Sequence, residues 1–409
     1  MEEQARGWSD PGTFVCDQCV HDPYLAELVR DQAVERRCDY CDRRARKAIA
    51  APASAVLDVI GRAIRIYYND PTDAGVPYDE GLLVEPDDTN EVLQDLCLAC
   101  SDAFFEGVCG AFGGSMWVPA ARGHWSSSQL SDRMRDSWSS FEWLVKHQTR
   151  YHFAQQQPSD FQELSPTQLL VAIGSAATSL GVVQRLAQGT VLYRARVRHP
   201  GSEWTPDAKT MGAPPYRLAS AGRMNPPGIS YFYAALERET AVGELAPAPP
   251  IELAAAEFVL RRDVQVLNLC DLPPGPSIFD TDRNDELQWL GFLRGFSEAI
   301  SQPVAKDGGE HIDYVPSQVV CEWFAQVYGA SEEGARLDGI LYSSAVVPGG
   351  RNLVLFPERE RWAEAKFDAI EFRSYELLTL GNWAQLAEAL GFVRGGAVQV
   401  RQRHGGSAR

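Results

Sequence analysis

The sequence predicts an α+β protein: a mainly helical N-terminal domain with a zinc knuckle, followed by a domain that mixes short strands with helices. Three observations carry this. Two CxxC pairs stand near the start, and apolar residues recur at three- and four-residue steps through much of the first 155 positions. After that, short β-branched and aromatic runs broken by Pro and Gly dominate. The 409 residues give room for two domains, each with its own core. Apolar residues at 45% and charged residues at 23% are the composition of a globular protein, not of a disordered or fibrous one.

In the first domain, Cys16-Asp-Gln-Cys19 and Cys38-Asp-Tyr-Cys41 leave eighteen residues between the inner cysteines, the spacing of zinc ribbons and treble clefs. Each CxxC turn aims two thiolates at one ion. Four soft ligands close the tetrahedron and leave no position for a reacting water, so the predicted zinc is structural. His21 is an alternative ligand, and Cys97, Cys100 and Cys109 are expected as core residues of a helix. Nine cysteines, an odd number, behind an N-terminus without the basic and apolar stretches of an export signal predict thiols and metal ligands, and a cytoplasmic location. Residues 43–68 predict one long helix or a pair kinked at Pro52, with Arg43, Arg44, Arg46 and Lys47 on a solvated face. A loop over 70–88 and helices over 89–107 and 130–153 complete a domain of residues 1–155.

A linker helix is predicted within 156–188, with Ser165 as N-cap, Pro166 in the first turn and Gly189 just past its end. Its uncharged run is long enough to cross a membrane on count alone. Ser165, Thr167, Gln168, Ser175 and Thr178 are too polar for that, so a soluble helix buried between domains is expected. The second domain, 189–380, shows strands at Thr190–Val197, Ile229–Ala234, Glu257–Leu260, Val264–Asn268 and Gly339–Tyr342. Helices near 237–246, 283–300 and 316–328 lie among them, and 381–409 is a C-terminal extension with a loose tail from about Gly395.

A formal charge of −17 disfavours nucleic acid and anionic membranes as partners. No phosphate loop, no GxGxxG after a strand, no HExxH and no GxSxG occurs. What stands out is polar residues set in strand sequence. Arg194 lies mid-strand, where an unpaired guanidinium facing a core is costly, so it must face a surface or an anion; Arg196 and Arg198 share its alternation. Gly222-Arg-Met-Asn-Pro-Pro-Gly228 is a rigid turn into the strand that holds Tyr231 and Tyr233. Glu244 follows eleven residues later, and Ser343 and Ser344 precede a turn that returns through Asn352. An Arg, a Tyr, a Glu and a Ser meeting in one cleft suit a substrate with a diphosphate, a flat heterocycle and a bond that breaks through a cation. Nicotinamide adenine dinucleotide (NAD) is one such substrate.

The passage GRMNPPGISYFYAALERETAVGEL, preceded by LYRAR and followed by GILYSSAVVPGGRN, resembles the RES domain over roughly residues 187–360. CDQC, CDYC and SWSSFEWLVKHQTRYHF are similar to the HEPN-like helical domain often fused ahead of RES domains. The resemblance implies a split, mixed β core like that of ADP-ribosyltransferases, with NAD as substrate in the cleft. Members include NAD-degrading toxins of toxin–antitoxin pairs, which implies an antitoxin protein as partner; a homo-oligomer stays open.

Carried over by position, the resemblance implies Arg194 on the diphosphate and Tyr233 stacked on nicotinamide, with Tyr231 competing for that place. It makes Glu244 the catalytic carboxylate that stabilises an oxocarbenium-like ribose. Ser344, beside Ser343, would fix Arg194 or a ribose hydroxyl, and Arg223, Asn225 and Asn352 are further substrate contacts. Glu237 and Glu239 read as solvent-facing carboxylates. The implied reaction is cleavage of the nicotinamide–ribose bond by water or phosphate. Transfer of ADP-ribose to a protein and a catalytically dead, zinc-stabilised interaction module are the alternatives. HEPN ribonucleases pair an arginine and a histidine four to six residues apart; His147, Arg150 and His152 do not give that spacing.

Overall fold

The computed structural model describes residues 6–78, 81–158, 160, 162–199, 204–245, 248–302, 308–329, 336–358, 366–391 and 400–405. The chain forms two compact units. One comprises Met1–Met134, Asp160–Glu163 and Pro274–Gly291, the other Arg135–Ser159, Leu164–Pro273 and Phe292–Arg409.

In the first unit, β1 (Phe14–Cys16) pairs antiparallel with β2 (Ala50–Pro52). Helix α1 (Pro23–Asp31) starts where the Asp22 carboxylate accepts the Leu25 N–H, and α2 (Ala53–Tyr67) buries Val56, Leu57, Ile60, Ala63 and Ile64 on one stripe. A small sheet joins β3 (Tyr68–Asn69), β4 (Asp87–Asp88) and β5 (Met116–Pro119). Two expectations are corrected. Pro52 does not kink a helix: it ends β2 and stands at the N-cap of α2, while residues 43–49 are non-helical, with a β-bridge from Arg44 to Arg37. The stretch 89–107 is also not one helix. Its first part is α3 (Thr89–Asp95), opened by a reciprocal Asp88/Glu91 capping box, and α4 (Asp102–Phe112) starts only after Cys97 has taken a left-handed φ of 52°. Cys97 is therefore exposed in a turn, and Cys100 and Cys109 are half-buried. Helix α5 (Leu130–His147), whose residues from Arg135 on belong to the second unit, ends before the predicted position 153.

In the second unit, α6 (Pro166–Ser179) has the expected Ser165 cap but stops well short of Gly189. Gly181, at φ 62°, turns the chain there, and the remainder becomes β6 (Val183–Leu186). The helix lies against α11 (Val315–Gln326) of the same unit, with Gly174 on the Trp323 ring. The other strands are β7 (Val191–Arg198), β8 (Phe232–Ala235), β9 (Ile251–Leu260), β10 (Val264–Asn268), β11 (Gly339–Ser343), β12 (Arg351–Leu355), β13 (Ile370–Leu380) and β14 (Val400–Gly405). With β6 they form one mixed sheet in the order β14-β13-β9-β7-β8-β12-β11-β10-β6, in which only β10 and β11 run parallel. Strand β13 was not expected. Part of the tail expected to be loose is β14, paired with β13; residues 395–399 and 406–409 of that tail lie outside the described residues.

Helices α7 (Ala208–Met211), α8 (Arg238–Gly243), α9 (Asn284–Ser301), α10 (Glu310–Asp313) and α12 (Trp383–Ala389) complete the set. Leu192, Phe232, Ala254, Phe258 and Leu353 fill one face of the sheet, and Ala195, Ala235, Leu253, Val242 and Leu378 fill the other. Both faces are thus covered. Among the described residues, no helix is long and apolar enough to cross a membrane.

One irregularity positions the site. Strand β7 pairs with β9 along all eight residues but meets β8 only at Tyr193↔Ala235. Beyond that pair β7 and β8 part.

Candidate functional site

The four knuckle cysteines come together in the first unit. Their sulfurs lie within 4.8 Å of one another, with Cys16–Cys41 at 3.6 Å, Cys19–Cys38 at 3.8 Å and Cys16–Cys19 at 4.0 Å. A tetrahedron with zinc–sulfur bonds of about 2.3 Å has edges of about 3.8 Å, so this donor set could hold zinc. Local folding prepares it: the Cys19 N–H closes a turn on the Cys16 carbonyl at 3.0 Å, and the Cys38 N–H reaches Arg43 at 2.9 Å. His21 is not in the set; its ring lies at the Gln18 carbonyl, 3.1 Å away.

In the second unit, a cavity of about 690 Å³ opens where β7 and β8 separate. Arg194 and Tyr193 of β7, Tyr233 of β8, Glu244 at the C-cap of α8, Tyr342 of β11 and Asn352 of β12 all line it. That volume lies within the range of about 300–1,000 Å³ usual for small-molecule sites. The Arg194 guanidinium reaches across the gap to the Tyr233 carbonyl at 2.5 Å, over the Phe232 ring. Its Nε is buried without a hydrogen-bond partner, and among the described residues it forms no ion pair. Burial, with the Arg196 guanidinium beside it, pulls Arg194 down to about 9, so it is still cationic at neutral pH.

Tyr233 is held by its hydroxyl, which donates to Asn225 Oδ1 at 2.7 Å and accepts the Met224 N–H at 3.1 Å. Burial keeps that phenol protonated far above its usual range. Gly222 makes room for this arrangement, since a Cβ there would stand 2.6 Å from Asn225 Oδ1 and 2.9 Å from the Tyr233 hydroxyl. Helix α11 braces the turn from behind, Gln318 donating to the Gly222 and Asn225 carbonyls at 2.7 and 3.0 Å.

Glu244 is aimed by two donors on one oxygen, Ser344 Oγ and Asn352 Nδ2, each 2.6 Å from Oε1. Ser344 Oγ in turn accepts the Val346 and Val347 N–H groups at 3.2 and 3.0 Å, fixing the loop that follows β11. That loop rests on Gly243, where any Cβ would collide with Val347. The other end of α8 is tied as well. Glu237 accepts the Arg351 N–H at 2.9 Å and its Nε at 2.8 Å, and Arg238 pairs with Glu376 of β13.

Arg194, Tyr233, Glu244 and Asn352 thus share one cavity, and Ser344 reaches it through Glu244, not through Arg194. Three other candidates lie elsewhere. Asn225 is buried, its Nδ2 turned to the Ser220, Pro226 and Ile229 carbonyls. Arg223 donates to the Ile300 carbonyl at 3.0 Å. Tyr231 precedes β8, so the strand alternation does not reach it, and its ring is buried against Phe356. Ser343 faces Arg351 in the β11–β12 ladder. Tyr193 and Tyr342 were missed, although Tyr193 stands in LYRAR and Tyr342 directly precedes the Ser pair.

Fold and site together define an α+β protein with a polar cleft opened inside a mixed sheet, its arginine without an ion pair among the described residues and its carboxylate tethered. The family model of the RES domain matches residues 191–377, and that of HEPN/RES N-terminal domain 1 matches residues 31–159. The chain is a RES-domain protein carrying a HEPN/RES N-terminal domain. Every residue of the cavity's polar set falls inside the RES match, whereas Cys16 and Cys19 lie ahead of the N-terminal one. No curated protein and no solved structure matches the chain.

Proposed function

We propose that the RES domain binds NAD in the cleft and breaks its nicotinamide–ribose bond. The observation that supports this best is the meeting of Arg194, Tyr233 and Glu244 in one cavity, with Glu244 held on a single oxygen by Ser344 and Asn352. Arg194 is a cation without a carboxylate partner among the described residues, which suits a diphosphate. The tyrosines of the wall offer faces to the nicotinamide ring. As the bond to the ring nitrogen breaks, its electron pair leaves with nicotinamide and positive charge gathers on the ribose. Glu244, fixed beforehand, stabilises that charge without having to reorganise. Its Oε2, with no hydrogen bond among the described residues, remains for a ribose hydroxyl or the incoming nucleophile. The zinc knuckle holds the first domain together and takes no part in the chemistry.

The test is to incubate the protein with NAD, with and without phosphate, and to identify products by chromatography. Nicotinamide is expected, and Glu244→Ala lowers its release at least about a hundredfold, the scale of removing one preorganised electrostatic group. Turnover unchanged in that variant would overturn the role of Glu244, and no nicotinamide from the parent protein would overturn the reaction.

A further inference from the structure

Arg194 and Arg196 stand two residues apart on β7 and so on one face of the strand. Both have a buried Nε without a hydrogen-bond partner. Each uses one terminal nitrogen on a carbonyl, Arg194 on Tyr233 and Arg196 on Gly212 at 2.7 Å. Among the described residues neither forms an ion pair, while Arg198, next in the row, lies 3.7 Å from Glu252. Two neighbouring, desolvated guanidiniums without an acid are unfavourable, and burial pulls both below the usual arginine range. An anion with two negative centres relieves both at once.

The register gives the order of groups along β7, on which Arg194 lines the cavity and Arg196 stands beyond its lining, on the Gly212 carbonyl. Glu244 is bound to Asn352, Asn352 faces Ala235, and Ala235 faces Tyr193. On β7 the carboxylate therefore stands at the level of Tyr193. Arg194 comes next, and Arg196 lies two residues further, about 7 Å along the strand. That sequence of carboxylate, cation and second cation matches a ribose followed by two phosphates.

We propose that Arg196 is the second arm of a diphosphate clamp, with Arg194 on the phosphate of the nicotinamide half and Arg196 on the phosphate of the adenosine half. The inference rests on the NAD reading above and deepens it: it makes Arg196 the residue that distinguishes dinucleotides from mononucleotides and runs the adenosine half toward the Arg198 end of β7.

Calorimetric titration with ADP-ribose, which has two phosphates, and with nicotinamide mononucleotide, which has one, tests this on the full chain. Arg196→Met is expected to weaken ADP-ribose at least tenfold and to leave the mononucleotide within twofold, whereas Arg194→Met weakens both. Arg196→Gln, which keeps a donor toward Gly212, shows the same pattern if the lost charge is the cause. Equal weakening of both ligands by the Arg196 variants, or none, overturns the clamp while the NAD reading stands. A parent protein that binds neither ligand overturns both.

Discussion

Arg194 carries a charge that the described part of the folded chain leaves unneutralised, and consequences follow for stability and for pH. Replacing it with Met removes a desolvated cation from between two strands. The ligand-free melting temperature of Arg194→Met is expected to equal or exceed that of the parent, and the rise that NAD gives the parent is lost. At a hundredfold excess over Kd that rise reflects about 2.7 kcal/mol, readable by calorimetry. The pH dependence follows from the same group. Free Arg194 titrates at about 9, and a bound diphosphate raises it again, so binding takes up a proton above pH 9. Affinity is flat below that value and falls as the pH rises through it; titrations between pH 7 and 10 check this. That Arg194, Tyr233 and Glu244 line one cavity was legible in the sequence because a strand pattern or a following helix limits where each points. That Tyr231 and Asn225 stay out of the cavity lining was not legible, because they precede β8 in a turn, where spacing says nothing of direction and hydrogen bonding to the turn decides.

At the scale of elements, α8 is six residues long with both ends tethered to the same strand, Glu237 to Arg351 and Glu244 to Asn352. Such a helix is too short to hold its own direction, so the tethers do. Glu237 is thereby bonded to Arg351, not the solvent-facing carboxylate that its place in the sequence suggests, and under the proposed reaction it is a positioning residue. Glu237→Ala should lower kcat for NAD about tenfold with KM little changed, while Glu239→Ala stays within twofold; steady-state kinetics on both variants decide it. Helix starts were legible wherever a side chain caps them, as Asp88 and Ser165 do. Ends were harder to place. Gly189 and Gly181 look alike in the sequence, and only the second takes the turn that stops α6. Strand β13 was hidden by Glu371, Arg373 and Glu376, charges that suggest surface, although it pairs with β9 from end to end apart from a bulge at Arg373.

For the molecule as a whole, composition and charge bounded the answer early. The first unit draws Pro274–Gly291 from far along the chain, with Phe279 in its core and Ser277 Oγ 2.8 Å from Asp22. Such a union depends on long-range packing and leaves no local mark, which is why a linear reading of domains could not show it. The four-cysteine cluster was legible because thiols at fixed spacing constrain geometry directly. One zinc per chain is expected by plasma emission spectrometry, and Cys38→Ser should lose it together with protection of β1 and α1 from hydrogen exchange. With a charge of −17, no duplex DNA should be retained in a gel-shift assay at physiological salt.

Gly243 makes the carboxylate adjustable from behind. A methyl group there would act as a shim under Val347, prising Ser344 away from Glu244 while every wall that faces a ligand keeps its chemistry. A graded series of Ala, Ser and Val at position 243 would therefore measure how steeply turnover depends on the aim of one oxygen atom.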